Sequence, residues 1–156
     1  MTSRGGREGR AVSPVVGYVL TLSVTTLLVS GLVIAAGGFV EDQRERTSRS
    51  ELRVVGQQVS ADIAAADRLN RTEGATDVEI TRSIPERVVG SQYTVAVRTD
   101  SSGPTVPYLE LTTVRPEVTV EVAVANETAV AETSVSGGEI RTRYNSTSDT
   151  LEVTRA

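Results

Sequence analysis

The chain has 156 residues, a formal net charge of −4, and neither cysteine nor histidine. Without cysteine it can form neither disulfides nor thiolate metal sites, and without histidine it lacks the commonest general base and metal ligand. All sixteen basic residues are arginine, against twenty acidic residues, and this acidic balance disfavours nucleic acid as a partner.

Residues 12–40 form a run of twenty-nine residues without a charged side chain. As a helix the run would measure about 43 Å, whereas the hydrocarbon core of a bilayer is about 30 Å thick, so it is long enough to span. Residues 1–11 are a basic, glycine-rich leader with three arginines and one glutamate, and the residues after Val40 mix both signs. The positive-inside rule therefore predicts a cytoplasmic N-terminus and an extracellular head in a single-pass membrane protein.

The entry to this run has a recognisable pattern. Ser13 followed by Pro14 predicts a helix start, with Ser13 as the N-cap and Pro14 at the first helical position. Together with their neighbours they form the segment Arg10-Ala11-Val12-Ser13-Pro14-Val15-Val16-Gly17.

This segment, at the mouth of a long Val/Leu/Ile helix, resembles the N-terminus of archaeal type IV pilins and pilin-like proteins. The resemblance covers about the first forty residues. It implies that a prepilin peptidase cuts after Ala11, next to Arg10, leaving Val12 as the new N-terminus and a net charge of −6. The sequence departs from the bacterial branch at Val16, where bacterial pilins usually carry glutamate, so the bacterial mechanism of subunit registration is not implied.

Small residues in the apolar run indicate a helix with a partner. Gly31 and Ala35 are four residues apart and would permit close approach of a second helix, as would Gly17 with the threonines that follow it at the same spacing. The alternative is a plain single anchor whose Ser and Thr hydroxyls bond back to their own helix. The pattern alone does not separate the two.

The pattern of residues 41–70 predicts an amphipathic continuation of the same helix. The whole helix is expected to run from Ser13 to about Leu69. The pairs Asp42/Arg46 and Glu45/Arg49 have helical spacing. Apolar residues then recur every three or four positions at Leu52, Val55, Val59, Ile63 and Ala66. We expect this stripe to cover a small head; a coiled-coil stalk is the less favoured alternative.

Over residues 76–156 apolar residues recur at every second position, and this pattern predicts an antiparallel sheet of five to seven strands. Strands are expected at 92–98, 107–114, 118–124, 128–136 and 151–155. The run 128–136 is expected to pair with 118–124 and then, through a Gly137-Gly138 hairpin, with the strand that contains Ile140 and Tyr144. Tyr144 is expected to face Leu151. The fold class is therefore α+β, with a long N-terminal helix packed on a β-rich head.

Three N-glycosylation sequons lie in the part predicted to be extracellular. They begin at Asn70, Asn126 and Asn145, each placed at a predicted turn or helix end, and we expect one or two to be occupied.

No nucleophile elbow, phosphate loop or metal-ligand cluster is present in the sequence, so no enzyme, metal or cofactor is expected. Two hypotheses follow. In the first, the protein is a pilin-like subunit that associates with copies of itself or with related pilins; in the second, it is a membrane-anchored surface module. The acidic, lysine-free composition is also similar to proteins of salt-loving archaea, although a GC-rich genome would favour arginine as well.

Overall fold

The computed structural model describes residues 12–72, 77–100 and 106–156. The predicted leader, with Arg10 and Ala11 of the processing site, lies outside the described residues, as do the side chains of Val12 and Ser13. The chain divides into two compact units, of which the first ends at Asp42 and the second comprises Gln43–Ala156.

A single helix, α1 (Val12–Asn70), contributes to both units. The N-cap predicted at Ser13 is wrong, because helical backbone begins at Val12 and places Ser13 inside the first turn. Pro14 still lies in that turn, where the backbone N–H groups have no partner within the helix, so its missing N–H costs nothing. The end of α1 lies one residue beyond the predicted Leu69.

In the second unit, α1 packs on antiparallel sheets, which confirms the α+β class. The predicted stripe is correct in every position: Leu52, Val55, Val59, Ile63 and Ala66 are all buried. Full burial of such a side chain contributes about 1.5–3 kcal/mol for the larger residues, so the spacing of the stripe determines which face of α1 meets the head. The predicted Glu45–Arg49 pair forms at 2.6 Å on the solvent side. The Asp42–Arg46 pair is not among the ion pairs of the described residues.

Within the described residues, the strands of the second unit form two sheets. One is three-stranded in the order β1-β7-β8, from β1 (Glu79–Ser83), β7 (Glu139–Asn145) and β8 (Thr150–Arg155). The other is five-stranded, with the order β2-β3-β4-β5 and β6 also paired with β3. Its members are β2 (Arg87–Val88), β3 (Ser91–Asp100), β4 (Val106–Val114), β5 (Glu117–Ala123) and β6 (Thr133–Ser136).

The strands β4 and β5 follow their predicted alternation, whereas β3 buries Ala96 as well as Val95 and Val97. In the β3–β4 register Val95 is opposite Leu111, and in the β4–β5 register Leu111 is opposite Val120. These side chains form a buried row against the helix stripe. The predicted pairing of Tyr144 with Leu151 is also confirmed.

The predicted partner of residues 128–136 is wrong. This segment does not pair with β5: Ala129 and Ala131 exchange hydrogen bonds of 2.8 Å with Leu151 of β8, and β6 then pairs with β3, Val135 opposite Val95. The head therefore has two sheets instead of one, because the segment crosses from one to the other.

The hairpin predicted at Gly137-Gly138 is wrong for a related reason. Gly137 lies where β6 ends and the chain leaves for β7 in the other sheet, and a Cβ at this position would lie 2.5 Å from the carbonyl oxygen of Pro85. The glycine is needed for this close approach and not for a tight turn between paired strands. The hairpin would place Glu132 opposite Arg143, but the two residues have other partners. The Glu132 carboxylate accepts a hydrogen bond from the Thr99 N–H at 3.1 Å, and Arg143 pairs with Glu152 at 3.1 Å.

Candidate membrane and assembly segment

The first unit presents an apolar helix surface. From Pro14 to Val40 every residue is exposed within the chain, and the large apolar side chains are between 48% (Val40) and 76% (Ile34) exposed. Exposed apolar surface of this extent on all sides of a helix is unfavourable in water, so the segment requires lipid or protein around it. Among the described residues, α1 is the one helix long and apolar enough to cross a membrane.

The small residues predicted to pack against another helix lie open on this surface. A Cβ added to Gly17 or Gly31 would meet no atom within 4 Å, and Ala35 is exposed. Gly31 and Ala35 are one helical turn apart, so they lie on the same face. Any neighbour that packs against them therefore lies outside the described residues.

Four hydroxyl groups in this segment donate hydrogen bonds to their own helix. Thr21 donates to the Gly17 carbonyl at 2.9 Å, and Thr25 donates to the Thr21 carbonyl at 2.8 Å. Ser23 and Thr26 make the same bond four residues back. These hydroxyls therefore need no polar partner from a second helix, and the case for helix packing depends on the small residues.

The sequon asparagines occupy three different settings in the second unit. Asn70 is the last residue of α1 and lies close to the Tyr144 hydroxyl. Asn145 ends β7, where its amide nitrogen donates to Glu152 at 2.7 Å and its carbonyl oxygen accepts the Thr147 N–H at 2.9 Å.

Asn126 lies in the connection after β5. Its amide nitrogen donates to the Thr128 carbonyl at 2.7 Å, and its own carbonyl oxygen is buried without a hydrogen-bond partner. The amide nitrogen is the atom that would carry a glycan. It has two N–H groups, and a glycan replaces one of them, so at Asn126 and at Asn145 one N–H remains to donate a hydrogen bond.

Two acidic residues of α1 are buried, although the helical wheel places them beside the apolar stripe. The Asp62 carboxylate receives a two-point ion pair from Arg82 of β1, one hydrogen bond of which is 2.6 Å long. The pair joins α1 to the three-stranded sheet. Two-point pairing of guanidinium with carboxylate is strong and directional, so it fixes the position of β1 on the helix.

Asp67 holds the connection that contains Asn126. Its carboxylate accepts the backbone N–H groups of Glu127 at 3.1 Å and Thr128 at 2.9 Å, and Arg71 lies 3.2 Å away. Burial raises the pKa of Asp67, but the hydrogen bonds from Thr128 and Glu127 and the charge of Arg71 outweigh it, so that the net pKa lies below the ordinary value of 3.8. The ionised carboxylate is therefore part of the folded structure.

Replacing Asp67 by asparagine is expected to lower the free energy of unfolding by about 1–3 kcal/mol at neutral pH, because two backbone N–H groups lose the charged, buried carboxylate that accepts them. A depressed carboxyl pKa stabilises the fold above the unfolded-state pKa and loses that contribution as the pH falls through the folded-state pKa. The gap between wild type and Asp67→Asn should therefore close below about pH 4. Denaturant titrations of the full chain in detergent at several pH values measure it; a gap that stays constant with pH would contradict the assignment.

Fold and surface together define a class: an α+β protein whose N-terminal helix can span a membrane and whose remaining chain forms a β-rich head. The chain belongs to a family of unknown function, DUF7266, whose family model matches residues 7–156. Neither a curated protein nor a solved structure matches the chain. The matched range begins five residues before α1 and ends at Ala156, so the apolar segment and the head belong to one family unit.

Proposed function

We propose that this protein is a non-enzymatic, type IV pilin-like structural subunit of a surface filament or a related pilus machine. The observation that carries the proposal is the fully exposed apolar helix with an open Gly31/Ala35 face, preceded by the pilin-like segment at Arg10–Gly17. In this account the helix leaves the bilayer and packs against the helices of other subunits, which replace lipid as its apolar surroundings.

Assembly of such a subunit requires removal of the leader. A prepilin peptidase cuts after Ala11, so the basic residues Arg4, Arg7 and Arg10 are lost and the helix begins at Val12. We expect the protein in a membrane fraction to have Val12 as its first residue. Intact-mass and N-terminal analysis measure this, with Ala11→Leu as the variant expected to keep its leader. A wild-type chain that still begins at Met1 or Thr2 would contradict processing.

The head is proposed to face outward, with glycan on Asn126 or Asn145. Protease added to intact cells is expected to remove residues of the head and to spare the span, because the three arginines of the leader keep the N-terminus in the cytoplasm. A cytoplasmic protein serves as the control for cell integrity. Protection of the head in intact cells, followed by digestion after lysis, would show the opposite orientation.

A second function is favoured by one observation. The hydroxyls of Thr21, Ser23, Thr25 and Thr26 bond to their own helix, which is what a plain single anchor requires. In that alternative the head is an extracellular binding module and residues 12–40 only attach it to the membrane. The two functions differ in the role of Gly31 and Ala35, because an anchor does not need a close helix contact.

A further inference from the structure

Two turns meet at one end of the five-stranded sheet. One contains Val89 and Gly90 between β2 and β3, and the other contains Arg115 and Pro116 between β4 and β5. Tyr93 is opposite Thr113, and Thr113 is opposite Val118, which places both turns at the same end. The Ser91 hydroxyl donates to the Arg115 carbonyl and joins the turns. We call residues 88–91 and 114–117 the sheet tip.

The sheet tip exposes two valines, one of which has an unfavourable backbone. Val114 is 76% exposed, the same fraction as the most exposed apolar residue of the membrane segment. Val89 is 36% exposed and has φ of 47°, followed by Gly90 with φ of 78°. Glycine or asparagine suits a turn of this kind, whereas a β-branched residue is strained there. Stability of the fold does not explain a valine at position 89, and such strain is typically retained for a contact.

The sheet tip lies at the end of the second unit where α1 enters it. Gly56 approaches Val122, the Ser60 hydroxyl donates to the Ala123 carbonyl at 2.9 Å, and Asp67 accepts the Glu127 N–H. The helix α1 and the strand β5 therefore run in the same direction. The Gln43 end of α1 accordingly lies toward Glu117, where β5 begins. In the sequence Gln43 follows Val40, the last residue of the apolar run, by three positions.

We propose that the sheet tip is a lipid-contact site, in which Val89 and Val114 insert into the surface of the bilayer that holds residues 12–40. Arg115 is exposed beside them, and a guanidinium binds lipid phosphate well. Insertion of two valines is weak by itself, but the chain tethers the head to the membrane, so the contact forms at a high effective concentration. Arg87 and Glu117 flank the valines with opposite charges, so the contact depends on apolar insertion more than on anionic lipid.

The inference rests on membrane insertion of residues 12–40 and not on filament assembly. The chain has no cysteine, so single cysteines can be labelled without background. The experiment reconstitutes the full chain in phosphatidylcholine vesicles that contain spin-labelled lipid, with an environment-sensitive dye on Val114→Cys. The matched control is Val106→Cys, which is 51% exposed at the opposite end of β4, about 26 Å away.

We expect the dye at position 114 to show blue-shifted emission and quenching by the lipid spin label, and the dye at position 106 to show neither. Adding Val89→Asn to Val114→Cys should reduce the quenching while raising the melting temperature, because asparagine fits the turn but does not insert. A purely structural role for Val89 predicts no change in quenching.

Three results would overturn the proposal. Equal, weak quenching at both positions would place the tip in water. Disulfide formation between unlabelled copies of Val114→Cys, together with no quenching of the labelled protein, would show that the tip contacts a second copy of the chain instead of lipid. Failure of the chain to float with the vesicles would remove the membrane insertion on which the inference rests, while leaving cleavage after Ala11 to be judged by its own assay.

Discussion

A chain in which Gly31 and Ala35 are both replaced by leucine is expected to insert into membranes at the wild-type level and to disappear from sheared extracellular material. Both positions are open on the surface of α1, so two large side chains cause no clash within the chain. Insertion is unharmed because leucine is more favourable in a bilayer than glycine or alanine. In a filament, however, each leucine overpacks a close helix contact, at about 1–3 kcal/mol per site.

The matched control is Val29→Leu/Val33→Leu, which adds leucine at the same spacing on the opposite face of the helix. Comparison of the membrane and sheared fractions for wild type and both variants gives the result. Loss of the Gly31/Ala35 variant alone supports a specific packing face. Equal recovery of both variants in sheared material would show that the small residues are not in a close contact, and equal loss of both would show that the effect is not specific to this face.

A second large effect is expected in the head, where Gly56→Ala should destabilise the fold. In an exposed helix interior alanine is preferred over glycine by about 1 kcal/mol. At Gly56, however, a Cβ would lie 2.7 Å from Val122 Cγ2 and 2.8 Å from Leu111 Cδ1. Leu111 is fully buried and cannot move aside freely. Overpacking outweighs helix propensity here, and we expect a net loss of about 1–3 kcal/mol in the free energy of unfolding.

The size of the clash can be tested by removing its partner. Val122→Ala in the Gly56→Ala background vacates the space that the new methyl group enters, so the double variant should be more stable than the sum of the two single changes. Gln57→Ala, one residue along on the exposed side of α1, is the control and should leave stability nearly unchanged. Denaturant unfolding of the full chain in detergent measures all four variants. Strict additivity would contradict direct contact between positions 56 and 122.

The helix and the central strands could be predicted because their patterns are local. The stripe from Leu52 to Ala66 follows the helical period, and the buried pairs Leu109/Leu111 and Val118/Val120 follow the period of a half-buried strand. The sequence does not indicate the partner of a charged residue that lies within such a pattern. Asp62 pairs with Arg82 twenty residues later, and Asp67 accepts backbone N–H groups about sixty residues later, so the sequence does not indicate that either carboxylate is buried.

The pairing of β6 could not be predicted for a different reason. Neighbouring strands in a sequence usually pair with each other, and the spacing of 118–124 and 128–136 fits that rule. The hydrogen bonds of Asp67 to Glu127 and Thr128 hold the connection at the end of α1, and the next residues bond to Leu151 of β8. These contacts are made by residues distant in the sequence, and no local pattern reports them. The small residues of the apolar run could be found from spacing alone, and the structure adds that they are open within the chain.

A filament subunit must assemble through its helix with other subunits outside the membrane. This assembly can be measured by shearing wild-type cells, separating the extracellular material from the membranes, and identifying this chain in each fraction. We expect chains beginning at Val12 in sheared filaments as well as in membranes. Wild-type protein found only in the membrane fraction, under every growth condition that produces it, would contradict assembly and favour the anchored module.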